Sequence, residues 1–180
     1  MFNLKSVYFY FLAVQIIFIK FLKKIYFSTN FYNKTLVSKT PQQFYFHPNP
    51  LLLLLINNYS KPAFKINEVD PNLFWINKRN SFMEKESHNF LWLNLVDRKN
   101  DGKTIQKLID IWILKNSNYI KNIWESSLVS KRIISWILNA DIILNNGSFY
   151  FKRKFLDSII SQTNHLKKIL NSKKIILREL

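Results

Sequence analysis

The apolar positions of this chain fall into helical spacing through its second half and into irregular clusters through most of its first. Ile105, Leu108, Ile109 and Trp112 recur at the offsets of one helix face, after a break at Asn100-Asp101-Gly102 in which Asp101 is placed to cap the helix. Asn116-Ser117-Asn118 stops that helix. A second stretch from Trp124 to Leu144 carries Leu128, Ile134 and Ile137 near the helical period and ends at Asn145-Asn146-Gly147. Ser148 is placed to cap a last helix, where Phe151, Phe155, Ile159, Leu166 and Ile169 form one stripe while Lys152, Lys154, Lys167 and Lys168 face out. An earlier helix is expected from about Glu84 to Arg98, opening at His88-Asn89 and holding Phe90, Leu91, Leu93 and Leu95. The second half thus predicts four helices of about 15 to 24 residues with short breaks, a spacing that favours antiparallel hairpins.

In the first half, Val7 to Ile19 is apolar except for Gln15, and Lys20, Lys23 and Lys24 close it. This run falls short of the roughly 20 apolar residues that a membrane span needs, and no small-residue cleavage pattern follows it. It predicts a helix over residues 4–27 whose apolar side packs on later helices, with membrane association as the alternative. From 28 to 50 the polar residues Ser28, Thr29, Asn30 and Asn33, then Pro41, Pro48 and Pro50, predict a connector. Leu51 to Ile56 is too short to assign to strand or helix. Residues 63–80 are irregular but rich in anchors, among them Phe64, Phe74 and Trp75, which must press on a core. The expected organisation is an N-terminal helix plus irregular wrapping segment over 1–80, and helical hairpins over 81–180, the whole forming one structural unit.

With 180 residues the chain suffices for one domain, and two glycines and five prolines favour long regular elements over a turn-rich β fold. The absence of cysteine removes disulfides and thiolate metal sites. Neither a metal nor a cofactor is expected, since His47, His88 and His165 lack ligand spacing and two glycines cannot build a phosphate cradle. Ser126, Ser127 and Ser130 read as small helix-face residues, and Asn164-His165 as a pair on a helix surface. A net charge of +16 calls for an anionic partner, yet the excess is mostly scattered lysine, with only Arg79, Arg98, Arg132, Arg153 and Arg178. No RNA-binding or helix-turn-helix signature accompanies it, so nucleic acid is not expected.

Four pieces in order, His88-Asn-Phe-Leu-Trp-Leu93, Ile109-Asp-Ile-Trp-Ile113, Trp124-Glu through Ser130-Lys-Arg132-Ile with Trp136, and Ser161-Gln-Thr-Asn-His-Leu166, resemble the N-terminal part of the heparinase II/III family of polysaccharide lyases. The resemblance spans roughly residues 70–170, and Leu12 to Phe27 weakly. It implies an all-α chain forming an incomplete (α/α) toroid around a cleft for an acidic, uronate-containing polysaccharide, with a C-terminal β-sandwich domain in the full-length protein. Family members cleave by β-elimination: the uronate carboxylate is neutralised, a base takes the C5 proton, and an acid assists the departing O4. The groups that do so lie in later toroid helices and in the sandwich, so this chain alone is expected to be inactive, and Asn164-His165 is not matched to the family's catalytic Asn-His pair. The candidate substrate-binding residues are Trp124, Glu125, Arg132 and Trp136. Glu125 and Arg132, seven residues apart, would share a helix face and orient one another; a guanidinium suits bidentate carboxylate or sulfate contact, although a role in tying adjacent hairpins is favoured. The rival reading is a basic, non-catalytic helical module that joins a membrane surface or protein partner through residues 4–27. Location is left open between periplasm and cytoplasm of a bacterium.

Overall fold

In a computed structural model of the chain, residues 4–38, 71–75, 81–96, 102–145 and 147–178 are described. The regular structure of these residues is all helical, with no strand among them. They divide into two compact units, Met1–Thr35 and Leu36–Leu180. The expected wrapping segment over 1–80 is therefore shared between them; its parts at 39–70 and 76–80, with the run Leu51 to Ile56, His47 and the proposed cap Asp101, lie outside the described residues.

The first unit holds helix α1 (Leu4–Phe27), with the bounds read from the sequence. Val7, Phe9, Phe11, Val14, Ile17 and Phe18 on it are all exposed. The polar residues after it start a second helix, α2 (Asn30–Leu36), where a connector was expected. Thr29 explains the difference, because its Oγ1 accepts the Tyr32 N–H at 3.1 Å, an N-cap bond that satisfies one of the otherwise unpaired donors of the first turn. Tyr32 closes the bend with its ring 4.7 Å from that of Phe27 and 5.1 Å from that of Tyr26.

The second unit contains α3 (Pro71–Phe74), α4 (Ser81–His88), a 3-10 turn (Leu91–Leu95), α5 (Gly102–Asn116), α6 (Ser126–Leu138), α7 (Ala140–Leu144) and α8 (Phe149–Arg178). Helix α8 packs on both α5 and α6, α3 and α7 pack on α5, and α4 and the 3-10 turn pack on α6. Pro71 opens α3 at the position where its missing N–H costs nothing. Phe74 is buried, and Trp75 donates its Nε1–H to the Leu108 carbonyl at 2.9 Å, so these two anchors do press on the core. Helix α5 ends at Asn116 as read, and Ser148 caps α8 through the Phe151 N–H at 3.2 Å.

Two expected helices are shorter than their patterns suggest. The one predicted over 84–98 stops at His88, because Asn89 folds its Oδ1 onto the Leu91 N–H (2.8 Å) and Phe90 takes a left-handed conformation, φ 60°. A non-glycine residue pays roughly 1–2 kcal/mol there, offset by what the turn achieves: Phe90 points into the core. Its ring stacks on Trp92 at 5.5 Å and meets Trp112 and Trp136 edge-on at 5.6 and 5.2 Å. Trp112 and Trp136 also meet each other edge-on at 5.4 Å, so the three rings form a closed triangle, each pair adding about 0.5–1.5 kcal/mol beyond burial. The helix predicted over 124–144 begins at Ser126 and breaks at Asn139 into α6 and α7. Asn139 is fully buried and donates Nδ2 to the Ser135 carbonyl (2.9 Å) and to Asn94 Oδ1 (2.8 Å). Ile134, read as an inward position, is exposed.

Candidate functional site

The buried stripe of α6 is Leu128, Val129, Arg132, Ser135 and Trp136, the three- and four-residue offsets of one helix face. An arginine therefore occupies a core position. Arg132 is fully buried, and each side of its fork meets an oxygen: Nε donates to Gln162 Oε1 at 2.6 Å, one terminal nitrogen to the His88 carbonyl at 2.9 Å, and both terminal nitrogens to the Ile123 carbonyl at 3.3 Å. The guanidinium carbon lies 4.3 Å from the centre of the Trp112 ring, in cation–π range. Among the described residues no carboxylate pairs with it. A buried ion without a counter-ion is costly, and here three neutral oxygens and a ring face replace its water. Burial draws its pKa down from the ordinary arginine range to about 9, which leaves it charged at neutral pH.

These partners lie on different elements. His88 ends α4, Trp112 belongs to α5, Ile123 precedes α6 and Gln162 sits in α8, so one side chain ties four parts of the fold together. A second set of bonds continues from it. Trp112 donates Nε1–H to His88 Nδ1 at 2.9 Å, which fixes that nitrogen as an acceptor and the ring as neutral. Asn116 donates to the Trp112 carbonyl, and Trp124 donates Nε1–H to the Asn116 carbonyl at 3.1 Å. His165 donates Nε2–H to the Trp124 carbonyl at 2.9 Å, its ring perpendicular to the indole at 5.3 Å.

Of the four residues singled out in sequence, Trp124, Arg132 and Trp136 are thus interior, and the expected Glu125–Arg132 pair does not form. Glu125 is the residue that precedes α6, where its backbone carbonyl receives the Leu128 and Val129 N–H groups. Its exposed carboxylate meets Lys85 at 3.5 Å and accepts from Ser127 Oγ. Being outside the helix, it does not share the stripe of Arg132, and that is why the two-turn spacing misled. Trp136 Nε1 is buried without a hydrogen-bond partner among the described residues. His88 ends a helix where the sequence suggested a start, and His165, expected on a helix surface, is fully buried. Its neighbour Asn164 reaches the Leu36 carbonyl at 2.8 Å.

Ser135 and Asn139 went unread in the sequence, Asn116 was read only as a helix stop, and Gln162 only as part of the resemblance. The signal for Gln162 and His165 was their position: continuing the Phe151–Phe155–Ile159 stripe by helical offsets leads to 162 and 165 or 166, so polar residues there fall on the inward face. Near this network, α6 and α8 leave an open groove of about 310 Å³ lined by Ser126, Ser127, Ser130, Leu166, Ile169 and Leu170. It contains no charged side chain to recognise an anion. No cluster of metal-ligating side chains occurs among the described residues.

Burial lowers the pKa of both histidines from 6.5 to about 4, assisted at His88 by the charge of Arg132; at His165 the bond to the Trp124 carbonyl opposes the shift, while Arg132 and Lys168 assist it. In the unfolded chain both bind protons near 6.5, so between that value and about 4 the unfolded state holds more of them. Their contribution to stability is complete above pH 6.5 and is lost as pH falls toward 4. Urea titrations across this range are expected to show declining unfolding free energy, and the decline is expected to be shallower in His165→Gln.

No family model, curated protein or solved structure matches the chain.

Proposed function

We propose that this chain is the N-terminal toroid portion of a heparinase II/III-like polysaccharide lyase, a set of helical hairpins that helps to form a cleft for uronate-containing polysaccharide without the complete catalytic machinery. One observation supports the reading above others. The four sequence pieces that carry the resemblance supply His88, Trp112, Arg132 and Gln162, which meet in a single buried network. Residues spread over 75 positions (88 to 162) belong together as one packing arrangement, as a fold signature should. On this reading Arg132, Trp124 and Trp136 hold the hairpins in register. The carbohydrate is met by side chains on the faces they support, in a molecule whose charge of +16 attracts polyanions.

The test is affinity chromatography or calorimetry with polygalacturonate and with a neutral glucan of similar length. Weak binding to the uronate polymer at low ionic strength, lost as salt screens the charges, is expected, with none to the glucan. Absence of uronate binding at low salt would contradict the proposal. No cleavage product absorbing at the wavelength of an unsaturated uronate is expected from this chain alone.

A further inference from the structure

Among the described residues, most of the exposed large apolar side chains lie on helix α1. Tyr8, Phe9, Tyr10 and Phe11 are consecutive and 61%, 67%, 75% and 61% exposed. At about 100° per residue, four successive positions sweep nearly the whole circumference, so this part of the helix is apolar on every side. Phe18, Phe21 and Ile25 continue the exposure toward its other end. Helices of this kind are normally covered, by protein or by lipid.

The charge around it identifies the cover. Lys20, Lys23 and Lys24 sit at the offsets of one stripe in the last part of α1, and among the described residues none of them pairs with a carboxylate. Lys5, Lys20, Lys23, Lys24 and Lys34 are the charged residues of the first unit, which holds no aspartate or glutamate. An apolar protein surface would leave these lysines unanswered, whereas an anionic bilayer offers hydrocarbon and negative headgroups within one side chain's reach. Among the described residues no helix is long and apolar enough to cross a membrane. Val7 to Ile19 at 1.5 Å per residue extends about 20 Å, against a hydrocarbon thickness of about 30 Å. We infer that α1 inserts into one leaflet of an anionic membrane, its aromatic residues in the interface and its lysine stripe at the headgroups. This inference stands on the first unit alone and does not depend on the lyase reading.

Flotation of the full chain with vesicles tests it. The wild type is expected to rise with phosphatidylcholine vesicles containing phosphatidylserine and to remain largely unbound to pure phosphatidylcholine. Combining Lys20→Gln, Lys23→Gln and Lys24→Gln should weaken partition by roughly 100-fold or more, and Phe11→Glu with Ile17→Glu should weaken it at least as much. Both sets alter exposed or half-exposed positions, so the thermal midpoint should not move. The inference is overturned if the wild type stays unbound to the anionic vesicles, if the lysine variant binds as well as wild type, or if Phe11→Glu with Ile17→Glu dissolves an oligomer while leaving vesicle binding unchanged, which would make a second copy the cover.

Discussion

Replacing Arg132 with methionine is expected to lower the unfolding free energy by about 3–5 kcal/mol in urea titration, although methionine retains much of the apolar stem. The loss comes from the oxygens left behind. Gln162 Oε1 and the carbonyls of His88 and Ile123 all face the guanidinium inside the protein, and each buried acceptor without a donor costs about 1–3 kcal/mol. Gln162 retains its bond from Nε2 to Ser158 Oγ, which does not serve its own Oε1. Arg132→Lys is expected to recover only part of the loss, because a single ammonium cannot reach oxygens on both sides of a planar fork. If Arg132 were a ligand contact at a surface, both substitutions would leave stability within about 0.5 kcal/mol of wild type.

Trp112→Ala is expected to cost about as much, in the range of 3–5 kcal/mol seen when a large buried aromatic is truncated. The indole floors the guanidinium, meets Phe90 and Trp136 edge-on, and donates to His88. Leu114, two residues away on the same helix and 65% exposed, is the control: Leu114→Ala should change stability by no more than about 0.5 kcal/mol. The double variant Arg132→Met with Trp112→Ala should fall short of additivity by about 0.5–3 kcal/mol, since each substitution removes the partner of the other. Full additivity would mean that the ring and the ion do not interact.

The apolar pattern identified helices well where burial is settled by neighbours in sequence. Helix α1, the end of α5 at Asn116 and the cap of α8 at Ser148 could be read from periodicity and cap chemistry alone. It failed where a distant residue decides. Asn139 breaks a helix because Asn94 lies 45 positions earlier to receive it, and Phe90 adopts its left-handed turn because Trp112 and Trp136 wait to pack against it. The polar core was the least legible part. A helical stripe is traced from apolar residues, so Ser135 and Gln162 were given no inward place, His165 was placed on a helix surface and Arg132 was read as a tie between hairpins or a ligand contact, although each lies on an inward face. Their partners are mostly backbone carbonyls, which leave no mark in a sequence. The family resemblance singled out Arg132, Trp124 and Trp136, and the structure gives each of them an interior position.

The most direct measurement is hydrogen exchange at Arg132 Nε, followed by NMR of the full chain with and without polygalacturonate. A buried tie predicts a proton that exchanges only through large-scale opening of the fold, and a resonance unmoved by the polymer at low ionic strength. Exchange at the rate of a free guanidinium, or a resonance that shifts as the polymer is added, would contradict it.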